Sequence, residues 1–321
     1  MSYSIRVAVT GISGHLGSHL APLLAEDGFE VVGLDVASPR QPLPDRSRFT
    51  LTDLCDEDAV RNTLAGADLV VHCASVHPWK PYSDSQYLDC NVKGTWVLYT
   101  AAASLGINRI VLTSSIAAVG YGVGAAWPVT EDVESPLGDL YGYTKHAQED
   151  IARVFADAGK VRTLALRPPA FMPRAELETG FSLTGPYAVV EDVAGAHLEA
   201  VRVLSGRKPA GAEMAPFEAV FVTNQLPYGP DDAALMATEG SAKPLVRRHW
   251  PEAYEWLIAR GYEGTWVPAA YDLSKARRLL GWSPKRNFEQ WFAEAKGKLQ
   301  APIPPAGSAH RPAAAEPVRH R

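Results

Sequence analysis

Tyr141 and Lys145 stand four residues apart in LYGYTKHAQED (140–150), a stretch that reads as helix, and so share one helix face. A free tyrosine, with a pKa of about 10, is a poor acid–base catalyst at neutral pH. An ammonium beside it favours the phenolate and brings that pKa down, so the pair can move a proton on and off a substrate hydroxyl. Tyr143 lacks such a partner, because Ala147 stands four residues beyond it. Ser115, in TSSIAAVG (113–120), follows a strand-like run and can hydrogen-bond a substrate oxygen, orienting it toward Tyr141. Each residue type also has an ordinary structural use. A Tyr and a Lys at this spacing make a solvated helix face with a partly buried ring, and serines at a strand end cap backbone groups, as is expected of Ser114.

TGISGHLG (10–17) places Gly11, Gly14 and Gly17 between the first strand and the first helix. Gly11 permits a tight turn, Gly14 lets backbone approach a pyrophosphate, and Gly17 allows close helix–sheet packing. The free N–H groups and dipole at the helix start then face the anion. The strand before and the helix after supply the context such a motif requires. Asp35 ends the next strand, 18 residues beyond Gly17. A carboxylate there accepts from both ribose hydroxyls and repels a 2′-phosphate, which favours NAD over NADP. The alternative is a surface turn with a chance acid nearby. An oxidised nicotinamide would add a second positive charge favouring the Tyr141 phenolate.

These groups need a scaffold, and short β-branched runs alternating with amphipathic segments provide one. IRVAVT (5–10), EVVGLD (30–35), ADLVVHCAS (67–75), NRIVLTSS (108–115) and VRTLALRP (161–168) read as strands. Residues 15–27, 85–106 and 139–158 read as helices. Continuous apolar strands separated by helices predict a parallel sheet covered on both faces. Beyond Arg167 the pattern loosens. Residues 169–190 look loop-like, 191–204 helical, and 218–224 an isolated strand; a Pro/Gly-rich turn, a helix near 250–260 and YDLSKARRLLGW (271–282) follow. The expected organisation is a dinucleotide-binding domain over 1–168, with further elements from 191–224, and a mainly substrate-binding lobe over 169–300. Such a lobe would close a pocket at the strands' C-terminal ends, where open α/β sheets bind ligands. Residues 301–321, rich in Pro and Ala, are expected to be a disordered tail.

Composition narrows the function classes. Among 321 residues, 46% are hydrophobic and 21% charged, ordinary for a globular chain, and the net charge of −5 gives no reason to expect nucleic acid or an anionic membrane as partner. RRHW (247–250) is too short a basic run to change that. Cys55, Cys73 and Cys90 form no CxxC pair and no zinc spacing, so no metal is expected. So sparse a cysteine count fits a reducing cytoplasm. MSYSIRVAVTG runs into a strand without a leader pattern, and no apolar run approaches a membrane span, so a cytoplasmic protein is expected.

TGISGHLG, Asp35, TDL (52–54), VVHCAS (70–75), NVKGT (91–95), TSSIAAVG, YGYTK and LRPPA together resemble the extended short-chain dehydrogenase/reductase family, the NAD-dependent epimerase/dehydratase superfamily. EDVAGAHLEA (191–200) and DLSKARRLLGWSP (272–284) resemble its C-terminal signatures, so the likeness runs over residues 5–297 in order. It implies an α/β fold: a Rossmann-type doubly wound parallel sheet with a smaller C-terminal substrate lobe. It implies NAD contacts from Gly11, Ser13, Gly14, His15, Leu16, Gly17 and Asp35, and from Asp53 and Leu54 at the adenine end. His72, Cys73, Ala74 and Ser75 would follow the cofactor's path, Asn91 would support the active-site helix and its bound water beside the cofactor, and Pro168 to Phe171, Ala170 included, would pass the nicotinamide. Tyr141 is then the acid/base, Lys145 holds the nicotinamide ribose, and Ser115 binds the substrate oxygen. The resemblance also implies a homodimer, paired through two helices of each subunit.

Within the family the first step is shared: the tyrosine takes a hydroxyl proton as hydride leaves the same carbon. Sugar dehydratases carry an Asp-Glu pair after the active-site Ser or Thr, where this chain has Ile116 and Ala117, so elimination is not expected. Nucleotide-sugar epimerases carry a long segment after the sixth strand, where only about twenty residues separate Arg167 from Glu191. That compressed region resembles uronate dehydrogenases, and SSIAAVG resembles the hydroxysteroid-dehydrogenase and cinnamoyl-CoA-reductase branches. The expected activity is hydride transfer between NAD and a secondary alcohol or ketone of a small polar or sugar-like molecule. The alternative is a sugar or nucleotide-sugar epimerase working through a transient keto intermediate. A third reading, a dinucleotide sensor without turnover, fits relatives that have lost the Tyr or Lys. Substrate contacts are expected from Ser75, His77, Trp79 and Ser115, with Lys80 and Tyr82 beside them, and from Arg174 and Tyr187. Arg174 could clamp a carboxylate or phosphate. His197 is expected to pack its helix.

Overall fold

The strands expected from the β-branched runs form β1 (Arg6–Thr10), β2 (Glu30–Asp35), β4 (Leu69–His72), β5 (Arg109–Thr113), β6 (Arg162–Arg167) and β7 (Phe217–Phe221), joined by β3 (Arg48–Leu51). All pair in parallel, in the order β3-β2-β1-β4-β5-β6-β7. The structure, a computed structural model, describes residues 4–298, so the 301–321 stretch read as a tail lies outside the described residues. The helices are α1 (His15–Glu26), α2 (Glu57–Leu64), α3 (Asp84–Tyr87), α4 (Gly94–Ser104), α5 (Leu140–Asp157) and α6 (Glu176–Leu183), then α7 (Val190–Leu204), α8 (Pro230–Glu239), α9 (Lys243–His249), α10 (Pro251–Ile258), α11 (Ser274–Leu280) and α12 (Phe288–Lys298).

The central strands are largely apolar because both sheet faces are covered. Successive side chains of a strand point to opposite faces. Val7 and Val9 of β1, Leu69 and Val71 of β4, and Leu164 and Leu166 of β6 therefore join one core with α1, α7 and α11. Ala8, Val70 and Ala165, between them, join the other with α2, α4 and α5. This is the doubly wound, Rossmann-type sheet. A third core gathers Trp127, Tyr228, Trp250, Phe288 and Trp291, with α6, α8, α9, α10 and α12 around it. Among the described residues no helix is long and apolar enough to cross a membrane.

Several elements differ from expectation, each for a visible reason. β3 gives no apolar signal because it is an edge strand with three of its four residues exposed. The single helix expected over 85–106 is α3, a π-helical turn at Leu88–Lys93, and α4. The loop-like 169–190 contains α6, hidden by Gly180, a poor helix former required there because a Cβ would lie 2.1 Å from the Trp291 ring. In 225–270, Pro230, Pro244 and Pro251 read as turn signals but occupy the first turns of α8, α9 and α10, where proline costs no hydrogen bond.

Candidate active site

The chain leaves β1 toward β2 on one side and returns to β4 on the other, so a crevice opens beyond the C-terminal ends of β1 and β4. Gly11 stands at its floor with φ +69, and a Cβ there would lie 2.7 Å from the Ala74 nitrogen at the end of β4. Only glycine satisfies both demands. Gly17 is equally constrained, but by the turn itself rather than by the strands: its Cβ would lie 2.4 Å from the Gly11 oxygen and 2.5 Å from Ile12 Cα. Gly14 is the N-cap of α1 and no side chain caps that helix, so its first-turn N–H groups are open to an anion. This cradle fits a dinucleotide pyrophosphate. His15 stacks on Phe171 at 6.2 Å, whereas the Leu16 side chain enters the core, leaving only its backbone to face a ligand.

Asp35 is tied to the same turn. Its carboxylate accepts from the Ser13 N–H at 3.0 Å and the Ala37 N–H at 3.1 Å, while the Ser13 hydroxyl donates to the Ala37 carbonyl at 2.6 Å. Further along, Asp53 accepts from the Cys55 N–H at 2.9 Å and closes a turn, and Leu54 packs beneath Gly94.

Tyr141 lies in the first turn of α5, which Asp139 caps by accepting from the Gly142 N–H at 2.6 Å. Lys145, 2% exposed, places Nζ 5.8 Å from the Tyr141 ring centroid and donates to the Thr113 carbonyl and the Gln148 side-chain oxygen, each at 3.0 Å. Burial pushes its ammonium down to about 8, partly offset by Cys90, Cys73 and Glu149. The effect expected on Tyr141 is reversed: burial raises its phenol well above the usual range, a Ser115 hydrogen bond draws it back, and the Asp139 charge raises it further. The Lys145 ammonium, lost at about 8, is gone before a phenol so raised gives up its proton. Tyr141 therefore holds its proton until further positive charge arrives.

Ser115 ends β5's extension and caps the 3-10 turn Ile116–Gly122, its oxygen accepting from the Ala117 N–H at 3.1 Å. The capping expected of Ser114 thus falls to Ser115. Ser114 instead donates at 2.6 Å to Glu149, which pairs with Arg167 at 2.8 Å in the core behind the site. The Pro168 carbonyl accepts from the Ile116 N–H at 3.0 Å, and that of Ala170 from the Ala188 N–H at 3.3 Å.

Three sequence assignments need correction. His72 does not line the cofactor's path: it is 1% exposed and bonded through both ring nitrogens, to Thr10 at 2.8 Å and Thr95 at 2.9 Å. Asn91, fully buried, uses its whole amide within the protein, accepting from Ser75 Oγ and the Val76 N–H and donating to the Val76 carbonyl and Thr144 Oγ1. It braces the loop after β4 against α5 and has no bond left for a cofactor. Tyr187 does not line a substrate pocket: it is 4% exposed, inside the third core, and donates to the Met172 carbonyl.

The other substrate candidates spread along one edge. His77 is half-buried with its ring 6.5 Å from that of Tyr141, and burial, then the charges of Lys145 and Lys80, push it down to about 4. It therefore meets a ligand as a neutral imidazole. Trp79 is 55% exposed, and Ser75 donates to Asn91. Arg174 is exposed, its guanidinium 5.5 Å over the Tyr187 ring, and no carboxylate pairs with it among the described residues. Cys73 is a free thiol raised to about 11 by burial. His197 packs as expected, bonded to Thr113 Oγ1 and the Val193 carbonyl. Gln148 and the Thr113 carbonyl, which hold Lys145, carry no motif; only the three-residue spacing from Lys145 marks Gln148 in the sequence.

Residues 7–175, more than half of the chain, match the model of the NAD dependent epimerase/dehydratase family. The protein belongs to that family. It is thereby classed with NAD-dependent enzymes. It is 27% identical over 173 residues to the uronate dehydrogenase of Pseudomonas syringae, covering 53% of this chain and 61% of that enzyme. Over 340 residues it is 26% identical to the UDP-glucose 4-epimerase of Bacillus subtilis, covering 90% of this chain and 95% of that one. The match to the poxvirus 3β-hydroxysteroid dehydrogenase/isomerase likewise spans only 51% of that protein. In fold it is similar to the uronate dehydrogenase of Agrobacterium tumefaciens, with TM-score 0.64, 22% identity, and 94% of this chain and 92% of that one covered.

Proposed function

We propose that the protein is an NAD-dependent dehydrogenase acting on a secondary alcohol or hemiacetal hydroxyl of a small acidic, sugar-like molecule. The observation that carries this reading is the meeting of Tyr141 and Ser115 at the sheet's C-terminal edge, with Lys145 held 5.8 Å from the Tyr141 ring. NAD supplies the hydride acceptor and, when oxidised, a positive charge. Ser115 Oγ, which accepts from the Ala117 N–H and lies within hydrogen-bonding reach of Tyr141, holds the substrate oxygen beside that phenol. Tyr141 takes that oxygen's proton as hydride departs, and Lys145 binds the ribose with the N–H left after Thr113 and Gln148.

The short segment after β6, occupied by the eight-residue α6, suits a small molecule better than a nucleotide-sugar. Arg174, exposed and without a carboxylate partner among the described residues, suits an anionic substituent, and the uronate dehydrogenases among the relatives point to a uronate. His77 and Trp79 would wall the pocket. Exposed Trp96, Tyr143 and Val154 on α4 and α5 support a homodimer through those helices, and three free cysteines accord with a cytoplasmic location.

The near-full-length likeness to a UDP-glucose 4-epimerase supports a second reading, epimerisation with NAD recycled in place. Incubation with NAD and a panel of sugars and alcohols, glucuronate and galacturonate first, separates the two. NADH accumulating with oxidised product supports the dehydrogenase. Inverted sugar without net NADH establishes the epimerase, and NAD binding with no turnover across the panel returns the protein to a sensing role.

A further inference from the structure

Gln148 lies on α5 one turn beyond Lys145 and is fully buried. Its side-chain oxygen accepts from Lys145 Nζ at 3.0 Å, and its Nε2 donates to Thr95 Oγ1 at 2.8 Å. Turning the amide over would set two donors against each other, so the ammonium fixes its orientation. Thr95 gives its one proton to the Asn91 carbonyl at 2.6 Å and must therefore accept from its two other partners, Gln148 and His72 Nε2 at 2.9 Å. His72 thus carries its proton on Nε2. Its Nδ1 accepts from the Thr10 hydroxyl at 2.8 Å, and the Thr10 oxygen accepts from the Ala74 N–H at 3.0 Å. Thr10, His72, Thr95, Lys145 and Gln148 are each at most 2% exposed, so water cannot replace a link. The chain runs from Lys145 to the residue preceding Gly11 and to the amide of the residue against which Gly11 packs.

We propose that Gln148 is a positioning residue for the hydride-transfer reaction, holding the Lys145 ammonium so that one N–H remains for the cofactor ribose and Tyr141, with Thr95, His72 and Thr10 anchoring that hold to the glycine turn. The proposal rests on the reading of Lys145 given under the proposed function. It predicts that Gln148 sets the pH at which Lys145 loses its proton. The groups facing Lys145 are Tyr141 and Glu149 on α5, Cys90 in the π-helical turn, His72 and Cys73 at the end of β4, and His77 beyond it. Burial holds His72 near 3 and His77 near 4, raises both thiols to about 11 and the Tyr141 phenol higher still, and Arg167 and Ser114 hold Glu149 low against its own desolvation. An alkaline limb near 8 therefore belongs to Lys145.

The test is the pH dependence of NAD affinity, read by tryptophan fluorescence, beside that of kcat/KM with glucuronate as probe. Gln148→Met removes the acceptor and should move the alkaline limb at least half a pH unit toward acid. Gln148→Glu supplies an anionic acceptor and should move it toward alkali, while retaining more of kcat than the methionine variant. A limb that stays in place, or moves the same way in both, overturns the proposal. Should both variants fail to fold, nitrogen NMR of His72 in the wild-type protein decides: a neutral ring protonated on Nε2 between pH 6 and 8 supports the chain, and an Nδ1–H tautomer or an imidazolium overturns it. Affinity and tautomer need no turnover, so failure to oxidise any sugar would count against the dehydrogenase reading and not against Gln148.

Discussion

The backbone N–H of Ser13 donates to the carboxylate of Asp35 at 3.0 Å, joining the glycine turn to the acid at the end of β2 in one rigid unit. A second bond, from the Ala37 N–H at 3.1 Å, fixes the carboxylate's plane. The negative charge is therefore oriented before a cofactor arrives, and little ordering cost falls on binding.

Asp35→Asn keeps an acceptor for Ser13 and removes the charge. Hydrogen bonds to charged groups contribute about 1.5–3 kcal/mol, so NAD should bind roughly tenfold or more weakly. NADP binding should strengthen relative to NAD, because nothing then repels a 2′-phosphate. Titration of both dinucleotides checks this; unchanged discrimination would remove Asp35 from the ribose.

Gly11 and Gly14 should respond differently to alanine. Gly11→Ala combines a positive φ with a Cβ 2.7 Å from the Ala74 backbone nitrogen, so either the turn or β4 must move. A stability loss of at least about 2 kcal/mol is expected, with NAD binding lost. Gly14 has ordinary dihedrals, and a Cβ there meets only the Gly11 oxygen at 3.1 Å. Gly14→Ala should leave urea unfolding within about 1 kcal/mol of wild type and weaken NAD alone, since the methyl stands where pyrophosphate approaches. Equal effects of the two on stability would contradict the geometry.

The glycine turn, Asp35 and the Tyr141–Lys145 spacing were legible because each is a local pattern and the three occur together in order along one chain. The sheet was legible because strands buried on both faces must be apolar without interruption. What stayed hidden depends on contacts distant in sequence. His72 looks like a pocket residue until Thr10 and Thr95 close on its two nitrogens. Tyr187 looks like a binding-loop residue until its hydroxyl is seen on Met172. β3 was unreadable because an exposed edge strand has no apolar pattern to show. α2, by contrast, carried a signal in Asp56, which accepts from the Ala59 N–H at 3.0 Å as N-cap, with Glu57 and Asp58 in the first turn behind it.

Tyr141→Phe should abolish turnover while leaving NAD affinity within about threefold of wild type, a difference of less than 1 kcal/mol. The ring stays, so Lys145 keeps its position, and only the proton acceptor is lost. Single-turnover hydride transfer and NAD titration on the same preparation separate chemistry from binding. Turnover above a few per cent of wild type would assign the proton to another group.

Arg174→Gln tests the anionic substituent. If the guanidinium clamps a carboxylate, KM for glucuronate should rise at least tenfold, about 1.4 kcal/mol, while KM for glucose or another neutral sugar that turns over changes little. Arg174 is itself exposed, so unfolding should scarcely shift. A parallel rise for neutral and acidic sugars would place the anion elsewhere.

Three histidines should make the fold acid-sensitive well above the carboxylate range. Burial, with the Lys145 charge behind it, holds His72 near 3 and, with Lys145 and Lys80, His77 near 4; burial likewise holds His197 near 4, all below the unfolded value of 6.5. Below pH 6.5 the unfolded chain therefore binds protons that the folded one refuses, and stability falls as pH falls. Between pH 7 and 5 each histidine should remove about 2 kcal/mol. Glu131 and Asp192, whose carboxyls burial raises, act in the opposite direction. Urea unfolding at the two pH values should thus differ by several kcal/mol, and His197→Gln, which can still bond Thr113, should flatten the dependence by roughly a third. Equal midpoints at pH 7 and pH 5 would mean that these rings all accept a proton in the folded protein.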